Sequence, residues 1–219
     1  MNLNELELKF KNLIIDFNNK YKNIETKVYK KLELSEHHNW LKRFNHSISV
    51  ANKACYLSLL HYNDEVLAEK AYLSGLIHDY CKYVKADEYI KVIEENNLDM
   101  KYDERVRSIY HGILAPYFIK NELKIDDCEI LNAIECHVTG KENMSPLEKI
   151  LYVSDYVEDL REGETYEISR KISEESLDVC VAYNSKSILS YLLEKNYAIF
   201  ATSIATYNYY IKYLEPESI

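Results

Sequence analysis

Histidine and aspartate residues recur at five places along the chain, each on or beside a different predicted helix. Imidazole and carboxylate groups hold divalent transition metals while leaving positions open for water and substrate. A helical bundle can direct such side chains inward from facing helices. Any one of them alone is more often an ordinary core or surface residue, but the series together favours a metal centre. Its members are His46, His78, Asp79, His111, His137 and Asp155.

The adjacent pair His78 and Asp79 is the most informative part of this series. Neighbouring residues on an α-helix point about 100° apart, so one metal ion can recruit both only near a helix end. The apolar pattern of the preceding helix places His78 on a buried face and fades over residues 80–82. We therefore expect the pair at the end of a buried helix.

The length and composition of the chain restrict its fold. With 219 residues it corresponds to one domain, or to one domain with a small extension. A folded chain of this size removes roughly 70 % of its unfolded surface from water, so its core needs no structural metal. Four Gly and three Pro are too few for the hairpins of a sandwich or barrel. We therefore expect an all-α fold. A bound metal ion would take part in a chemical reaction and would not be needed to stabilise the core.

Charge and cysteine content restrict the partners and the compartment. A formal charge of −9 makes a nucleic-acid polymer a poor partner, although a local basic pocket can still bind a small phosphate ligand. The longest stretch without a charged residue, residues 196–211, has 16 residues and is too short for a membrane span. Five cysteines with no C-x-x-C pair indicate free thiols. Because the N-terminus also lacks a secretion signal, a cytoplasmic protein is expected.

Apolar residues at three- and four-residue spacing predict helices throughout the chain. Residues 1–35 are expected to form one extra amphipathic helix as an N-terminal extension. Packing is favoured over partner docking as its role, and the helix leaves room for a homodimer. Residues 36–219 are expected to form the main domain. Asp64 is expected to cap a helix, Pro146 to begin one, and Gly75 to permit a close helix contact. The helices predicted in the main domain cover residues 45–60, 64–80, 87–96, 103–120, 127–136, 146–160, 172–194 and 202–213.

Short sequence strings surround the histidine and aspartate series. They are R-F-N-H-S at 43–47, G-L-I-H-D-Y-C-K at 75–82, H-G at 111–112, H-V-T-G-K at 137–141, M-S-P-L-E-K-I-L-Y-V-S-D-Y-V-E at 144–158, and Arg161. The order H…HD…H…H…D resembles that of the HD-domain metal-dependent phosphohydrolase superfamily. Over residues 36–214, the strings together are similar to the YqeK-type family of symmetrical diadenosine tetraphosphate hydrolases.

The resemblance implies an HD-domain helical bundle with a metal centre. It assigns His46, His78, Asp79 and Asp155 as ligands of a divalent transition metal, with iron as the first choice. It also implies that His111 and His137 either contact a phosphate or complete a second metal position, so that one or two ions are bound. Glu158 matches a family position from which a side chain can orient a ligand.

The resemblance further implies symmetrical hydrolysis of diadenosine tetraphosphate to two ADP by a metal-bound water, whose pKa the ion lowers. Lys82 and Arg161 are expected to stabilise charge on the phosphoryl and leaving oxygens. The expected catalytic residues are Asp79, Lys82, His111 and His137. The expected substrate-binding residues are Asp79, Lys82, His111, His137, Val138, Thr139, Asp155, Arg161, Ala198, Phe200 and Ser203.

Four residues depart from the usual pattern of the family. Val138 stands where threonine is usual, Asp159 where proline is usual, and Phe200 and Tyr207 where histidine and arginine are common. None of them is an expected metal ligand, so the departures concern contacts with the nucleotide. Two alternatives stay open: a phosphohydrolase acting on another nucleotide, and a catalytically silent nucleotide-binding protein.

Overall fold

The computed structural model describes residues 2–214, which form α-helices joined by short turns and contain no β-strand. The expected all-α fold is confirmed. A 3₁₀ turn covers Glu104–Ile109, another covers Ile211–Tyr213, and a π-helical turn covers Ile119–Leu123. The α-helices are α1 (Leu3–Lys20), α2 (Lys22–Glu33), α3 (Trp40–Tyr62), α4 (Glu65–Ile77), α5 (Ala86–Glu95), α6 (Tyr110–Ile113), α7 (Ala115–Phe118), α8 (Cys128–Cys136), α9 (Pro146–Val157), α10 (Glu164–Glu175), α11 (Leu177–Glu194) and α12 (Ala201–Tyr210).

Helix α4 lies at the centre of the bundle, and residues 71–77 of it are all buried. Asp64 caps its start as expected, because the carboxylate accepts hydrogen bonds from the next backbone N–H groups. Helix α3 approaches so closely that a Cβ atom at Gly75 would lie 2.6 Å from the Cα atom of Ala51. Glycine is therefore required at this contact, which fixes the distance between the two helices.

Helix α9 lies against α3, α4 and α8. It begins at Pro146, and the side chains of Ser145 and Glu148 form a capping box around its first turn. The predicted start of this helix is confirmed. Because α9 touches all three neighbours, residues at its last turn come close to the ends of α4 and α8.

The single amphipathic helix predicted for residues 1–35 is instead two helices that meet at Tyr21, whose φ of −101° and ψ of 12° lie outside the α-helical region. Both helices contact α3, and α2 also contacts α4. Leu6, Phe17, Val28 and Leu32 are buried in the same hydrophobic core as α3 and α4. These contacts account for the spacing of the apolar residues in the segment.

Two of the predicted helices are interrupted in the structure, and most of the others differ from it by a few residues at one end or both. Residues 103–120 form a 3₁₀ turn with a non-helical residue at Val106 (φ −118°, ψ 23°), then α6, α7 and the start of the π-helical turn. Between α6 and α7, Pro116 has no N–H to donate to the carbonyl of Gly112. The helix predicted over residues 172–194 is broken at Ser176, where φ is −154° and ψ is 122°. The Ser176 hydroxyl instead accepts a hydrogen bond from the N–H of Val179 and caps α11. Within residues 2–214, no helix is both long and apolar enough to cross a bilayer.

Candidate metal centre and phosphate-binding site

Four of the predicted ligands meet between three helices, and we call them the carboxylate half of the site. His46 lies in α3, His78 and Asp79 directly follow α4, and Asp155 lies in the last turn of α9. His46 Nε2 is 3.0 Å from Asp155 Oδ1 and 3.7 Å from Asp79 Oδ2. His78 Nε2 is 3.2 Å from Asp79 Oδ2 and 3.8 Å from Asp155 Oδ1. Two imidazole nitrogens and two carboxylate oxygens thus face one another.

Hydrogen bonds at the far side of each ring fix which nitrogen of these two histidines carries the N–H proton. His78 Nδ1 lies 2.7 Å from the carbonyl oxygen of Gly75, and His46 Nδ1 lies 3.1 Å from Glu158 Oε1. These oxygens only accept, so Nδ1 carries the proton and Nε2 keeps its lone pair. Burial opposes the ionisation of Glu158, but hydrogen bonds led by that from His46 lower its pKa to about 2. Glu158 is therefore ionised, and its carboxylate orients the His46 ring.

The carboxylate half fits a divalent metal ion. The Nε2 atoms of His46 and His78 are buried, and no residue from 2 to 214 forms a hydrogen bond with them. Buried polar atoms nearly always have a partner, and imidazole nitrogens beside carboxylate oxygens are a typical donor set for transition metals. Burial opposes a charge on His46, yet Asp155 and Glu158 raise its pKa. This half therefore attracts a positive charge.

Lys82, His111 and His137 form the second part of the site, which we call the imidazole half. His111 Nε2 is 3.0 Å from Lys82 Nζ and 3.1 Å from Asp79 Oδ1. The ring of His137, which caps α8, lies 5.1 Å from the ring of His111, and its Nδ1 donates to the carbonyl of Ile134 at 2.6 Å. Asp79 thus links the two halves through its two oxygens. One ligand atom each from Asp79, His111 and His137 could also hold a cation.

Burial controls the charges in the imidazole half. It lowers the pKa of His111 to about 4, with Lys82 adding to the effect, and that of His137 to about 3, with His111 adding to it. Both rings are therefore neutral at physiological pH. Burial opposes the ionisation of Asp79 as well, but neighbouring positive charges, led by Lys82, hold its pKa well below its usual value. Neutral rings beside an ammonium group suit contact with a phosphate oxygen.

Two arginines hold the carboxylates in place. Arg161 donates from Nε to the carbonyl oxygen of Asp155 at 2.8 Å and from Nη2 to Asp155 Oδ1 at 3.0 Å. Arg43 donates from Nη1 to Asp79 Oδ2 at 2.6 Å. The sequence predicts no role for Arg43, although this residue precedes His46 by three residues and thus lies one turn away on the same helix. That spacing is the signal that could have found it.

Other predicted substrate contacts lie around this cluster. Ala198 borders a pocket of about 420 Å³ that Lys82 and His111 also line. The buried Thr139 hydroxyl donates to the carbonyl of Gly140, and the Thr139 carbonyl accepts from Thr206, so these polar groups have partners within the protein.

Val138 packs against the core. Phe200 directly precedes α12 and Ser203 lies in its first turn, where the Ser203 N–H donates to the carbonyl of Phe200 at 3.0 Å. The roles of Val138, Thr139, Phe200 and Ser203 stay predictions. His37 and His61 lie outside the cluster: His37 stacks on Tyr83, and His61 bonds to the carbonyl of Ser173.

The sequence model of the HD domain matches residues 43–160. The chain therefore belongs to the HD-domain family of metal-dependent phosphohydrolases, and the resemblance of its motifs is confirmed. Dependence on a divalent metal ion agrees with the donor set of the carboxylate half.

Three known proteins are similar to most of this chain. A protein of Halalkalibacterium halodurans named symmetrical bis(5'-nucleosyl)-tetraphosphatase is 31% identical over 82% of this chain and 94% of its own length. The Bacillus subtilis protein of the same name is 28% identical over 83% of this chain and 93% of its own. A crystal structure from Clostridium acetobutylicum, described as a predicted HD superfamily hydrolase involved in NAD metabolism, matches with a TM-score of 0.74 and 31% identity, covering 86% of this chain and 97% of that one.

Proposed function

We propose that this protein splits diadenosine tetraphosphate symmetrically into two molecules of ADP. The observation that carries the proposal is the pair of buried imidazole Nε2 atoms facing Asp79 and Asp155. It is supported by relatives from Halalkalibacterium halodurans, Bacillus subtilis and Staphylococcus aureus, which are all named symmetrical bis(5'-nucleosyl)-tetraphosphatase.

The carboxylate half would hold the metal ion, with His46, His78, Asp79 and Asp155 as ligands. A divalent ion bound there supplies an activated water as nucleophile and neutralises charge on the phosphoryl oxygens. The protein prepares this site by fixing both rings through Nδ1, so that each Nε2 lone pair points inward. Glu158 holds His46 in that orientation.

The imidazole half would hold the phosphate chain near its centre. Lys82 donates from Nζ to a phosphoryl oxygen, and His111 and His137 contact the same group as neutral rings. Arg161 holds Asp155 with two of its N–H groups and can present the others to the leaving phosphate. Cleavage between the second and third phosphates then releases ADP on both sides.

The remaining predicted contacts would recognise the nucleotide. Ala198 borders the pocket that begins at Lys82 and His111, which supports its place beside the substrate. Phe200 and Ser203 at the start of α12, and Val138 and Thr139 after His137, are proposed to complete this side of the binding site.

We propose that the metal is iron and that one ion is bound per chain. The position of Lys82 Nζ, 3.0 Å from His111 Nε2, supports a single ion, because an ammonium group there repels a second cation. Metal analysis of protein purified without oxygen should find about one iron per chain. Two ions per chain would overturn the stoichiometry, and full activity with manganese but none with iron would overturn the identity of the metal.

The activity is tested by separating the products after iron-loaded protein is mixed with diadenosine tetraphosphate, with an EDTA-treated sample as control. ADP as the sole product, and its absence after EDTA treatment, is the expected result. Formation of ATP and AMP would contradict symmetrical cleavage. If the protein cleaved a mononucleotide faster in the same assay, the choice of substrate would be wrong.

A reducing cytoplasm is the proposed compartment. All five cysteines are free thiols in the structure, and four of them are buried. Proteins of oxidising compartments more often pair their cysteines, which supports this proposal. The proposed partner is the dinucleoside polyphosphate substrate, with no nucleic-acid polymer.

A further inference from the structure

Two clefts border the metal and phosphate cluster from different sides. The first, which we call the tyrosine cleft, encloses about 1280 Å³ and begins at Asp155 and Arg161. The second is the pocket of about 420 Å³ that begins at Lys82 and His111. Among residues 2–214, the two clefts share no lining residue. Each half of the cluster thus opens into a cleft of its own.

Symmetrical cleavage requires room on two sides of the reacting phosphate. In diadenosine tetraphosphate, each side of the central bridging oxygen carries two phosphates and one adenosine. The pocket beside Lys82 lies within the size range of small-ligand sites, roughly 300 to 1,000 Å³, and can receive one arm. The other arm must leave the cluster elsewhere, and the tyrosine cleft begins at the carboxylate that completes the metal site.

The tyrosine cleft has the chemistry of a nucleoside site. It is lined by four tyrosines: Tyr156, Tyr166, Tyr183 and Tyr191. Tyrosine rings stack on nucleobases, since every base has a flat π-face. Arg161 lies at the inner end, with its guanidinium carbon 5.6 Å from the centre of the Tyr166 ring. The guanidinium group of Arg161, which can bind phosphate, therefore lies directly beside aromatic rings that line the same cleft.

The geometry of α11 extends this surface outward. Tyr183 and Tyr191 are eight residues apart and line the same cleft, so they lie on one face of the helix about 12 Å apart. Tyr183 is half-buried, whereas Tyr191 is 52% exposed. Tyr191 thus lies at the outer end of a cleft that begins at Asp155. Its exposed ring is positioned to stack on a nucleobase.

We propose that the tyrosine cleft binds one nucleoside arm of the substrate, while the pocket beside Lys82 binds the other. This inference rests on the proposed function for the identity of the substrate. It makes Tyr183 and Tyr191 binding residues, and it accounts for cleavage at the centre of the molecule, because two arms of equal length end at two separate base sites.

Counting bound ADP tests the proposal without turnover, since ADP is the expected product. Titration calorimetry of metal-loaded protein with ADP should give two ADP per chain. The double variant Tyr183→Ala/Tyr191→Ala should lose one site, or bind the second ADP roughly tenfold more weakly. The single variant Tyr191→Ala truncates an exposed ring and should show a smaller weakening, even if the double variant does not fold.

The matched control is Tyr62→Ala, an exposed tyrosine near the end of α3. Tyr62 lies 16 residues after His46, which is about 24 Å along the helix. This variant should bind two ADP as the unaltered protein does. One ADP per chain in the unaltered protein, or unchanged second-site affinity in both cleft variants, would overturn the proposal.

Enzyme kinetics, compared with the number of ADP molecules bound, distinguish a failure of this proposal from a failure of the proposed function. We expect kcat/KM for diadenosine tetraphosphate to fall roughly tenfold in the double variant and to stay unchanged in Tyr62→Ala. If the unaltered protein forms ADP from the dinucleotide but binds one ADP, the activity stands and the second nucleoside site is wrong. If it binds two ADP but does not cleave, the activity is wrong and the tyrosine cleft is supported as a nucleotide site.

Discussion

The carboxylate half and the imidazole half of the site share Asp79 but have opposite electrostatic character. In the carboxylate half, Asp155 and Glu158 outweigh burial and raise the pKa of His46. In the imidazole half, burial and Lys82 lower the pKa of His111 to about 4. The same residue type is thus prepared for a cation in one place and for an anion in the other. Its neighbours, and not the histidine itself, make the difference.

The backbones behind the two halves differ as well. His46 lies in the long helix α3 and His78 directly follows the long helix α4, and these two helices pack through Gly75. His111 instead lies in the four-residue helix α6 within a series of short turns. Rigid helices suit a metal site, where ligand positions must be held closely. The short turns form the wall of a pocket that opens to solvent. Under the proposed function, the carboxylate half would hold the ion and the imidazole half would face the substrate.

The largest expected effect comes from removing the residue that the two halves share. Asp79→Ala should abolish metal retention and reduce hydrolysis below measurable levels, because both carboxylate oxygens face functional groups. Metal analysis and product chromatography measure the two effects. Asp87→Ala, at an exposed position in α5, is the control. Activity retained in Asp79→Ala would refute the assigned site.

Lys82→Met should affect only the imidazole half. Loss of the ammonium group removes a donor to the phosphate, so kcat should fall by roughly 10² to 10³. The metal content should stay the same, because Lys82 is not a ligand in the assignment. A loss of metal in this variant would show that the two halves do not act separately.

Glu158→Gln should weaken only the carboxylate half. The amide keeps the shape of the side chain but removes the negative charge opposite His46 Nδ1, so metal affinity should fall roughly 10- to 100-fold. Competition with a coloured chelator measures the affinity. Glu162→Gln, at an exposed position in the same loop, should leave it unchanged. Equal affinity in both variants would argue against an orienting role for Glu158.

The smallest effect is expected from Gly75→Ala, which tests the rigid support behind His78. The added methyl group would meet the backbone of Ala51 at 2.6 Å and force α3 and α4 apart, at a cost of about 1 to 3 kcal/mol in the free energy of unfolding. Denaturant unfolding measures this change. Ser74→Ala removes a buried hydroxyl that has no hydrogen-bond partner in residues 2–214, and it should not lower stability.

Several features of this protein could be predicted from local sequence alone. The positions of Asp64 and Pro146 mark helix starts, and the apolar pattern that fades over residues 80–82 places His78 and Asp79 near a buried helix end. The six site residues could be named because imidazole and carboxylate have a restricted chemistry. Local patterns failed where one residue interrupts a helix, as Ser176 and Pro116 do, because a pattern of apolar residues does not register a cap or a missing N–H.

The sequence by itself determined the helical class, the order of the ligands and the expected chemistry, since these depend on residue type and on spacing within a few turns. Only the tertiary structure decided that Arg43 contacts Asp79, that Lys82 faces His111, and that the tyrosines of α10 and α11 line a cleft beginning at Asp155. The physical reason is that side chains on separate helices meet according to how closely those helices pack and at what angle they cross, and many distant contacts set that geometry together.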